Sequence, residues 1–242
     1  MEGLRLGWSP EQISGRMRRE KQPFYVCMET IYCYIYKQKV FYQLLTNSMP
    51  KRTMRGSKRG GCGRIVDAVS IHDRPLEIER RKEIGHWEGD LVMFGGKEKS
   101  YNIATLVERK SRYSIAIKNV DKTTKIVMNG ILSRLISLPE TIRKSITFDR
   151  GSEFTNHFFL KNSAGVDSYF CDPHSPWQKG SNENFNGRLR RFVPRGTIHN
   201  NLSEEKLDNI IKIMNNTPRK CLKFQTPNEA FNKDLQRCCT SN

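Results

Sequence analysis

The sequence predicts an α/β fold, in which helices flank a mixed sheet and a small helical module precedes it. Three apolar segments joined by short polar turns, between residues 87 and 118, predict an antiparallel three-strand meander. Two later apolar segments, at 145–148 and 166–170, alternate with helical patterns, which indicates further, parallel strands. Two helical patterns between residues 8 and 37 form the preceding module.

Composition limits the classes of function. The 242 residues carry a formal net charge of +17, which predicts a polyanionic partner, most often nucleic acid. No apolar segment approaches the roughly 18 residues that a membrane-spanning helix needs, and no signal-peptide pattern opens the chain. We therefore expect a soluble, cytoplasmic protein. The seven cysteines are odd in number and lack C-x-x-C spacing, which favours reduced thiols over a structural zinc site.

The N-terminal patterns predict a helix-turn-helix-like module. Ser9-Pro10-Glu11-Gln12 has the residues of a capping box with proline at the first helical position. The first helix extends to about Glu20, with Ile13 and Met17 facing inward, and the second begins near Met28. A short break between two such helices suits DNA recognition through the second helix, although any helical hairpin has the same pattern.

A basic segment follows the helical pair. Residues 51–64 contain six basic residues, four glycines and no acid, which predicts a flexible linker along the DNA backbone or, alternatively, a solvated spacer. The predicted domains are an incomplete helix-turn-helix-like segment at 1–45, a basic linker at 46–75 and a catalytic domain at 76–242. The linker residues predicted to contact phosphate are Lys51, Arg52, Arg55, Lys58 and Arg59.

The larger domain contains the remaining elements. Its meander strands are predicted at Trp87–Phe94, Tyr101–Glu108 and Arg112–Lys118. A helix capped by Thr123 or Thr124 is expected to end near Ser137, where Leu138-Pro139 follows. The later elements are predicted as a strand at Ser145–Phe148, a helix near Phe154–Leu160, a strand at Val166–Phe170, helices at Ser181–Phe192 and Ser203–Met214, and a last short helix opened by Thr226-Pro227.

One acid stands out in the helix at 181–192. Phe185, Leu189 and Phe192 form an apolar stripe, and Glu183 points away from it. Glu183 is the single carboxylate among five basic residues between Lys179 and Arg195. On a surface that only binds phosphate, an acid would repel the ligand because both are negatively charged. An acid that holds a divalent metal ion does not conflict with phosphate binding. A solvated glutamate that balances the arginines is the alternative.

Two upstream carboxylates favour the metal hypothesis. Asp90 lies inside an apolar strand, where an ionised side chain has to be paired, hydrogen-bonded or ligated. Asp149 ends a strand at a glycine turn. If the first and fourth strands are neighbours and the helix of Glu183 packs beside them, three acids meet, and their repulsion raises their pKa values unless cations are bound. Oxygen-only ligands suit Mg²⁺ or Mn²⁺.

Four motifs make the chain resemble the insertion-sequence-thirty family of transposases. They are Gly85-His86-Trp87-Glu88-Gly89-Asp90-Leu91, Leu106-Val107-Glu108-Arg109-Lys110-Ser111-Arg112, Phe148-Asp149-Arg150-Gly151-Ser152-Glu153-Phe154, and the most specific one, Asp172 to Asn184. The 33 residues between Asp149 and Glu183 are typical of that family, and Arg190 matches the basic residue that follows its glutamate. The likeness extends from Trp8 to about Phe231.

The resemblance implies an RNase H-like fold with a DDE triad and a DNA transposase that cleaves and joins strands at insertion-sequence ends. It further implies two Mg²⁺ or Mn²⁺ ions, with Asp90 bridging both and Asp149 and Glu183 each binding one. The implied partners are the terminal inverted repeats and the target DNA, with a homo-oligomer assembled on them. The residues expected to hold the DNA backbone in this domain are Lys179, Arg188, Arg190 and Arg191.

The sequence departs from the family in its N-terminal part. The family has a further DNA-binding helix set before Gly7-Trp8-Ser9-Pro10, and Cys27-Met28 stands where it commonly has Ser-His. We therefore expect weak recognition of the element ends by this region. Two alternatives stay open: a non-catalytic DNA-binding relic or repressor derived from a transposase, and an RNase H-like nuclease of another family.

Several other residues in the motifs invite a functional role. For Glu88 we expect a structural role, and Glu153 suits the start of a helix whatever its function. His174 could position phosphate or water, or could fix its loop through a hydrogen bond. Trp87 and Trp177 are interpreted as packing residues.

Overall fold

The computed structural model describes residues 2–38, 65–94 and 101–240. These residues form two compact units, one of 2–38 with 213–230 and the other of 65–94, 101–212 and 231–240. The first unit thus contains residues that the predicted boundaries assign to the catalytic domain; those boundaries remain a prediction. Across the described ranges, none of the helices has the length and apolarity needed to cross a membrane.

The first unit begins with three helices: α1 (Glu2–Arg5), α2 (Pro10–Arg19) and α3 (Met28–Lys37). The predicted capping box of α2 is confirmed, because Ser9 and Gln12 each accept a hydrogen bond from the other's backbone N–H. α2 packs on α3, and a small core of Leu4, Ile31 and Ile35 joins the three helices. Of the predicted linker, residues 46–64, which include the five basic residues predicted to contact phosphate, lie outside the described residues, and residues 65–75 belong to the second unit.

Residues 213–230 complete the first unit. Gln12 Nε2 donates to the Pro218 carbonyl at 2.8 Å, and the Arg16 guanidinium forms a two-pronged ion pair with Glu229 at 2.5 and 2.7 Å. The Phe224 ring packs on the α2 backbone so closely that a Cβ at Gly15 would lie 2.3 Å from it. The N-terminal helices are therefore held by a segment about 200 residues later in the chain.

The second unit is built on a five-stranded sheet with the order β3-β2-β1-β4-β5. Its strands are β1 (His86–Met93), β2 (Asn102–Glu108), β3 (Ser114–Asn119), β4 (Ser145–Phe148) and β5 (Asp167–Phe170). β1, β2 and β3 pair antiparallel, whereas β4 pairs parallel with both β1 and β5. This arrangement confirms the predicted RNase H-like mixed sheet, an antiparallel meander extended by parallel strands.

Six further helices follow in the described chain: α4 (Leu76–Glu79), α5 (Thr124–Ile136), α6 (Phe158–Ala164), α7 (Gly180–Phe192), α8 (Glu204–Asn215) and α9 (Pro227–Thr240). The helix predicted near Phe154–Leu160 begins too early, because Ser152–Phe154 is a single 3₁₀ turn. α9 has 14 residues and is not short. Phe192 is exposed, and Val193 takes its expected place in the core.

The core of the second unit lies between the sheet and α5, α6 and α9. α5 contributes Val127, Met128, Ile131 and Leu135, all fully buried. Trp87 is also fully buried, as predicted, and its indole N–H donates to the Ile142 carbonyl at 2.9 Å. The Phe148 ring at the end of β4 stacks on Phe154 with 4.2 Å between centroids.

Gly89 allows a close approach of neighbouring side chains within this core. A Cβ at this position would lie 2.5 Å from the Phe148 ring and 3.1 Å from Ile146. Because that ring is fully buried and stacked, it has no free space into which to move. The absence of a side chain at Gly89 therefore lets β4 pack beside the strand that carries Asp90.

We expect Gly89→Ala to lower the free energy of unfolding by about 1–3 kcal/mol, because the added methyl group overpacks the core. Urea denaturation followed by circular dichroism measures this loss. Gly196→Ala is the matched control, since a Cβ there would meet nothing within 4 Å; its effect should stay within about 0.5 kcal/mol. Equal stabilities of the two variants would mean that the core has room for a methyl group at position 89.

Candidate active site

Asp90 and Asp149 lie together at one edge of the sheet. The parallel register pairs Glu88 on β1 with Thr147 on β4, so the next positions on the same face are Asp90 and Asp149. Their side chains are partly exposed, Asp90 to 26% and Asp149 to 46%. Ligands of open α/β sheets bind at this kind of edge, outside the carboxyl ends of parallel strands.

Lys179 lies between the two aspartates. Its Nζ is 3.1 Å from Asp90 Oδ1, 3.1 Å from Asp149 Oδ2 and 3.0 Å from the Gly89 carbonyl oxygen. An ammonium group has three N–H donors, and these contacts use all of them. The sequence predicted that Lys179 holds the DNA backbone, but the structure buries it to 5% exposure and pairs it with the acids.

The electrostatics of the pair follow from burial and from this lysine. Burial raises the pKa of Asp90; the Lys179 cation opposes that shift, and the neighbouring Asp149 adds to it. Burial by itself would lower the pKa of Lys179, but the two carboxylates outweigh it and raise that pKa above its ordinary value. The carboxylates thus favour the charged form of Lys179, which offsets part of the charge of the acid pair.

The start of α7 is anchored by Glu88, which is fully buried. Glu88 Oε2 accepts the backbone N–H of Asn182 at 3.0 Å, and Oε1 accepts the Ser181 hydroxyl at 3.1 Å. On its other side, Glu88 Oε1 lies 3.4 Å from Arg109 Nε and 3.8 Å from Arg81. Glu88 therefore has the structural role that we expected, as a buried counterion that fixes the helix carrying Glu183.

Three polar residues that were not predicted as site residues, Asn182 and Asn186 on α7 and Thr105 on β2, connect the helix to the strands. Asn186 Nδ2 donates to Asp90 Oδ2 at 2.7 Å, and Asn182 Nδ2 donates to the Glu88 carbonyl at 3.2 Å. The Thr105 hydroxyl on β2 lies 3.0 Å from Asn186 Oδ1 and 3.1 Å from Asn182 Oδ1. The signal in the sequence was the i, i+4 spacing of the two asparagines beside the apolar stripe.

Glu183 lies on the exposed flank of α7. It comes four residues after Lys179 and three before Asn186, and both of these residues contact Asp90. Glu183 therefore belongs to the same first turns of the chain around α7 that contact Asp90. Within the described ranges, however, no group of three His, Cys, Asp or Glu side chains is close enough to share a metal ion. The convergence of all three acids remains a prediction.

The loop before α7 is closed by a clasp between Asp172 and Gln178. The Gln178 amide accepts from the Asp172 backbone N–H at 2.8 Å and donates to its carboxylate at 2.8 Å. His72 Nε2 contacts the same carboxylate at 2.7 Å. His174 is exposed in this loop with φ of +57°. Trp177 is 71% exposed, so its interpretation as a packing residue is wrong.

The basic residues of α7 differ in what they can reach. Arg191 is exposed and available to a ligand, and Arg188 is half-buried. Arg190 is also half-buried, and one of its guanidinium nitrogens donates to the Met93 carbonyl at the end of β1. Burial lowers the pKa of Arg190. Of the four residues that were predicted to hold DNA in this domain, Arg191 is the one whose side chain the fold leaves outside.

The aspartate pair has the donor chemistry of a divalent-metal site. Two carboxylate oxygens from different strands converge on a single cation, here the Lys179 ammonium. Both carboxylates stay partly exposed, so a ligand can reach them. Hard oxygen donors of this kind suit Mg²⁺ or Mn²⁺. The residues therefore fit such an ion, with Glu183 as the third candidate donor.

Comparison with known proteins shows what this chain is similar to. The integrase core domain family matches residues 80–176. Transposase InsI for insertion sequence element IS30A from Escherichia coli K12 is 39% identical over 97% of this chain and 64% of its own length. The transposases for IS1086 of Cupriavidus metallidurans and IS4351 of Bacteroides fragilis are 40% and 32% identical, over 67% and 72% of their lengths. The chain thus spans a little under two thirds of the Escherichia coli relative.

We expect Glu88→Gln to lower the free energy of unfolding by about 3–5 kcal/mol, because it leaves a buried arginine without its counterion. Urea denaturation measures the loss. The double variant Glu88→Gln/Arg109→Gln is the matched control; it removes both charges and should lose less than the sum of the two single variants. Additive losses would mean that Glu88 and Arg109 do not stabilise the fold through their mutual interaction.

Proposed function

The chain belongs to the insertion-sequence-thirty family of transposases, and we propose that it is a DDE transposase, which cleaves DNA strands at insertion-sequence ends and joins them to a target. The observation that carries the proposal is the convergence of Asp90 and Asp149 on one cation at the carboxyl edge of the sheet. The helix of Glu183 packs against the strand of Asp90 and supports a third acid at this edge.

The proposed cofactor is Mg²⁺ or Mn²⁺, held by Asp90, Asp149 and Glu183, with two ions in the complete site. Integrase core domains of transposases generally use divalent metal ions. When bound, such ions lower the pKa of the attacking hydroxyl and stabilise the leaving oxygen of an in-line displacement at phosphorus. The protein's part is to place the donors: Asn186 fixes the Asp90 carboxylate, and Glu88 fixes the first turn of α7.

The proposed partners are double-stranded DNA, as element ends and as target, and further copies of this chain assembled on it. The net charge of +17 supports a polyanionic ligand. Arg191 lies on α7, the helix of Glu183, and its side chain is exposed. It is suited to contact a phosphate of the DNA backbone. The basic segment 51–64 supplies further cations for non-specific contacts with the DNA backbone.

Asp90→Asn, Asp149→Asn and Glu183→Gln should each reduce strand cleavage in Mg²⁺ on the order of 10³-fold or more, because the three acids act as one unit. A labelled duplex with an element end, run on a denaturing gel, measures cleavage and joining. DNA affinity, measured by fluorescence anisotropy, should persist or increase, because each change removes a negative charge that faces phosphate.

The matched control is Glu205→Gln, which removes an exposed carboxylate in the first turn of α8. This variant should retain cleavage. Substantial cleavage by Glu183→Gln would remove Glu183 from the site, and Glu153, half-buried in the 3₁₀ turn after Asp149, would be the next acid to test.

A second prediction concerns the basic segment. Removing Lys51, Arg52, Arg55, Lys58 and Arg59 together should flatten the dependence of log K for DNA on log salt by up to about 4.5, at about 0.9 per phosphate contact. Anisotropy titrations at several salt concentrations measure the slope. A control that removes the exposed Lys206, Lys212 and Lys233 should change it by less than about one. An unchanged slope in the first variant would make the segment a spacer.

A further inference from the structure

The contacts of Lys179 define a complete binding site for one cation. The ammonium donates to a carbonyl oxygen and to one oxygen of each aspartate, at 3.0 to 3.1 Å. The other oxygen of Asp90 accepts from Asn186 at 2.7 Å. Without the lysine, the two carboxylates would face each other with neutral donors as partners, Asn186 on Asp90 and the Gly151 backbone N–H on Asp149. Lys179 therefore offsets one of the two negative charges of the pair.

The backbone around Lys179 is fixed on both sides. Gln178, immediately before it, is held by two hydrogen bonds to Asp172. Ser181 and Asn182, immediately after Gly180, are held by the buried Glu88. The lysine side chain has a flexible four-carbon stem. The ammonium can therefore leave the carboxylates by rotation about the side-chain bonds while the backbone stays in place.

A divalent ion on the aspartates requires that departure. Mg²⁺ binds carboxylate oxygens at about 2.0–2.1 Å, so an ion shared by Asp90 and Asp149 would occupy the space where the ammonium lies. Two cations in that space repel each other strongly, because the site is partly removed from water. The lysine and the metal therefore compete for the same two carboxylates.

We propose that Lys179 is a built-in counterion that preserves the geometry of Asp90 and Asp149 without metal, and that a divalent ion binds only by displacing its side chain. This inference rests on the proposed function of the site. The released ammonium lies beside the aspartates, where it can bind a phosphate oxygen of the DNA. Binding of metal and of DNA should then favour each other, since one ligand frees the group that the other uses.

The first experiment uses the unmodified full chain. Brief acetylation with an N-hydroxysuccinimide ester, followed by mass spectrometry, reports how accessible each lysine is. Lys179 should be protected without metal and become at least about fivefold more reactive with saturating Mg²⁺, while the exposed Lys206 stays unchanged as an internal control. Protection of Lys179 that is the same with and without Mg²⁺ would overturn the proposal.

The second experiment compares variants by their Mn²⁺ affinity, measured by calorimetry. Lys179→Gln removes the competing charge and should bind Mn²⁺ about tenfold more tightly than the unmodified chain. Lys179→Arg keeps a cation and is the matched control, with affinity close to that of the unmodified chain. Equal affinities of the Gln and Arg variants would overturn the proposal.

Thermal melting covers the case in which Lys179→Gln is unstable without metal. Loss of the counterion should lower its melting temperature, and Mn²⁺ should raise that temperature by more than it does for the unmodified chain, because the ion replaces the missing charge. An equal or smaller rise would count against the lysine as a competitor.

The outcomes separate this inference from the proposed function. If Mg²⁺ exposes Lys179 but the chain does not cleave DNA, the counterion role stands and the transposase proposal fails. If cleavage requires the three acids but Lys179 stays protected in saturating Mg²⁺, the transposase proposal stands and the counterion role is wrong.

Discussion

A carboxylate enclosed in the central strand has to be neutralised, and the way in which Glu88 is neutralised organises the candidate site. Glu88 is fully buried on β1 and faces Arg109 on one side and the first turn of α7 on the other. Arg109 is buried as well, and this burial lowers the pKa of its guanidinium to about 10. Breaking such a pair would leave a buried charge, so Glu88 is held in place. Because the first turn of α7 is hydrogen-bonded to Glu88, the helix is held on β1 as well.

This attachment sets the positions of groups one and two residues away along the chain. Asp90 follows Glu88 at the same parity of β1, and Glu183 follows Asn182 on α7. The close contact of Phe148 with Gly89 fixes the neighbouring strand, which ends at Asp149. Three carboxylates on three elements are thus placed by an ion pair and a ring contact that need not touch a substrate.

Much of this could be predicted from the sequence, since strands and capped helices follow from local periodicity. The meander, the parallel strands and Asp149 at a strand end are of this kind. The partners of Lys179 could not be predicted, because a lysine among arginines has the same pattern whether it faces DNA or a carboxylate 89 residues away. The exposure of Trp177 could not be predicted either, because a tryptophan between proline and glutamine has the same local pattern whether it packs or faces solvent.

The unit that contains the N-terminal helices joins residues from distant parts of the chain. Gln12 and Pro218 are separated by 206 positions, and Gly15 packs on Phe224. At about 5–20 residues per second, a ribosome needs roughly 10–40 s to synthesise that interval. Throughout this time the first helices lack their partners, so this unit can be completed only after most of the sheet-containing unit has been made. In each new copy, the oldest part of the chain is therefore among the last to mature.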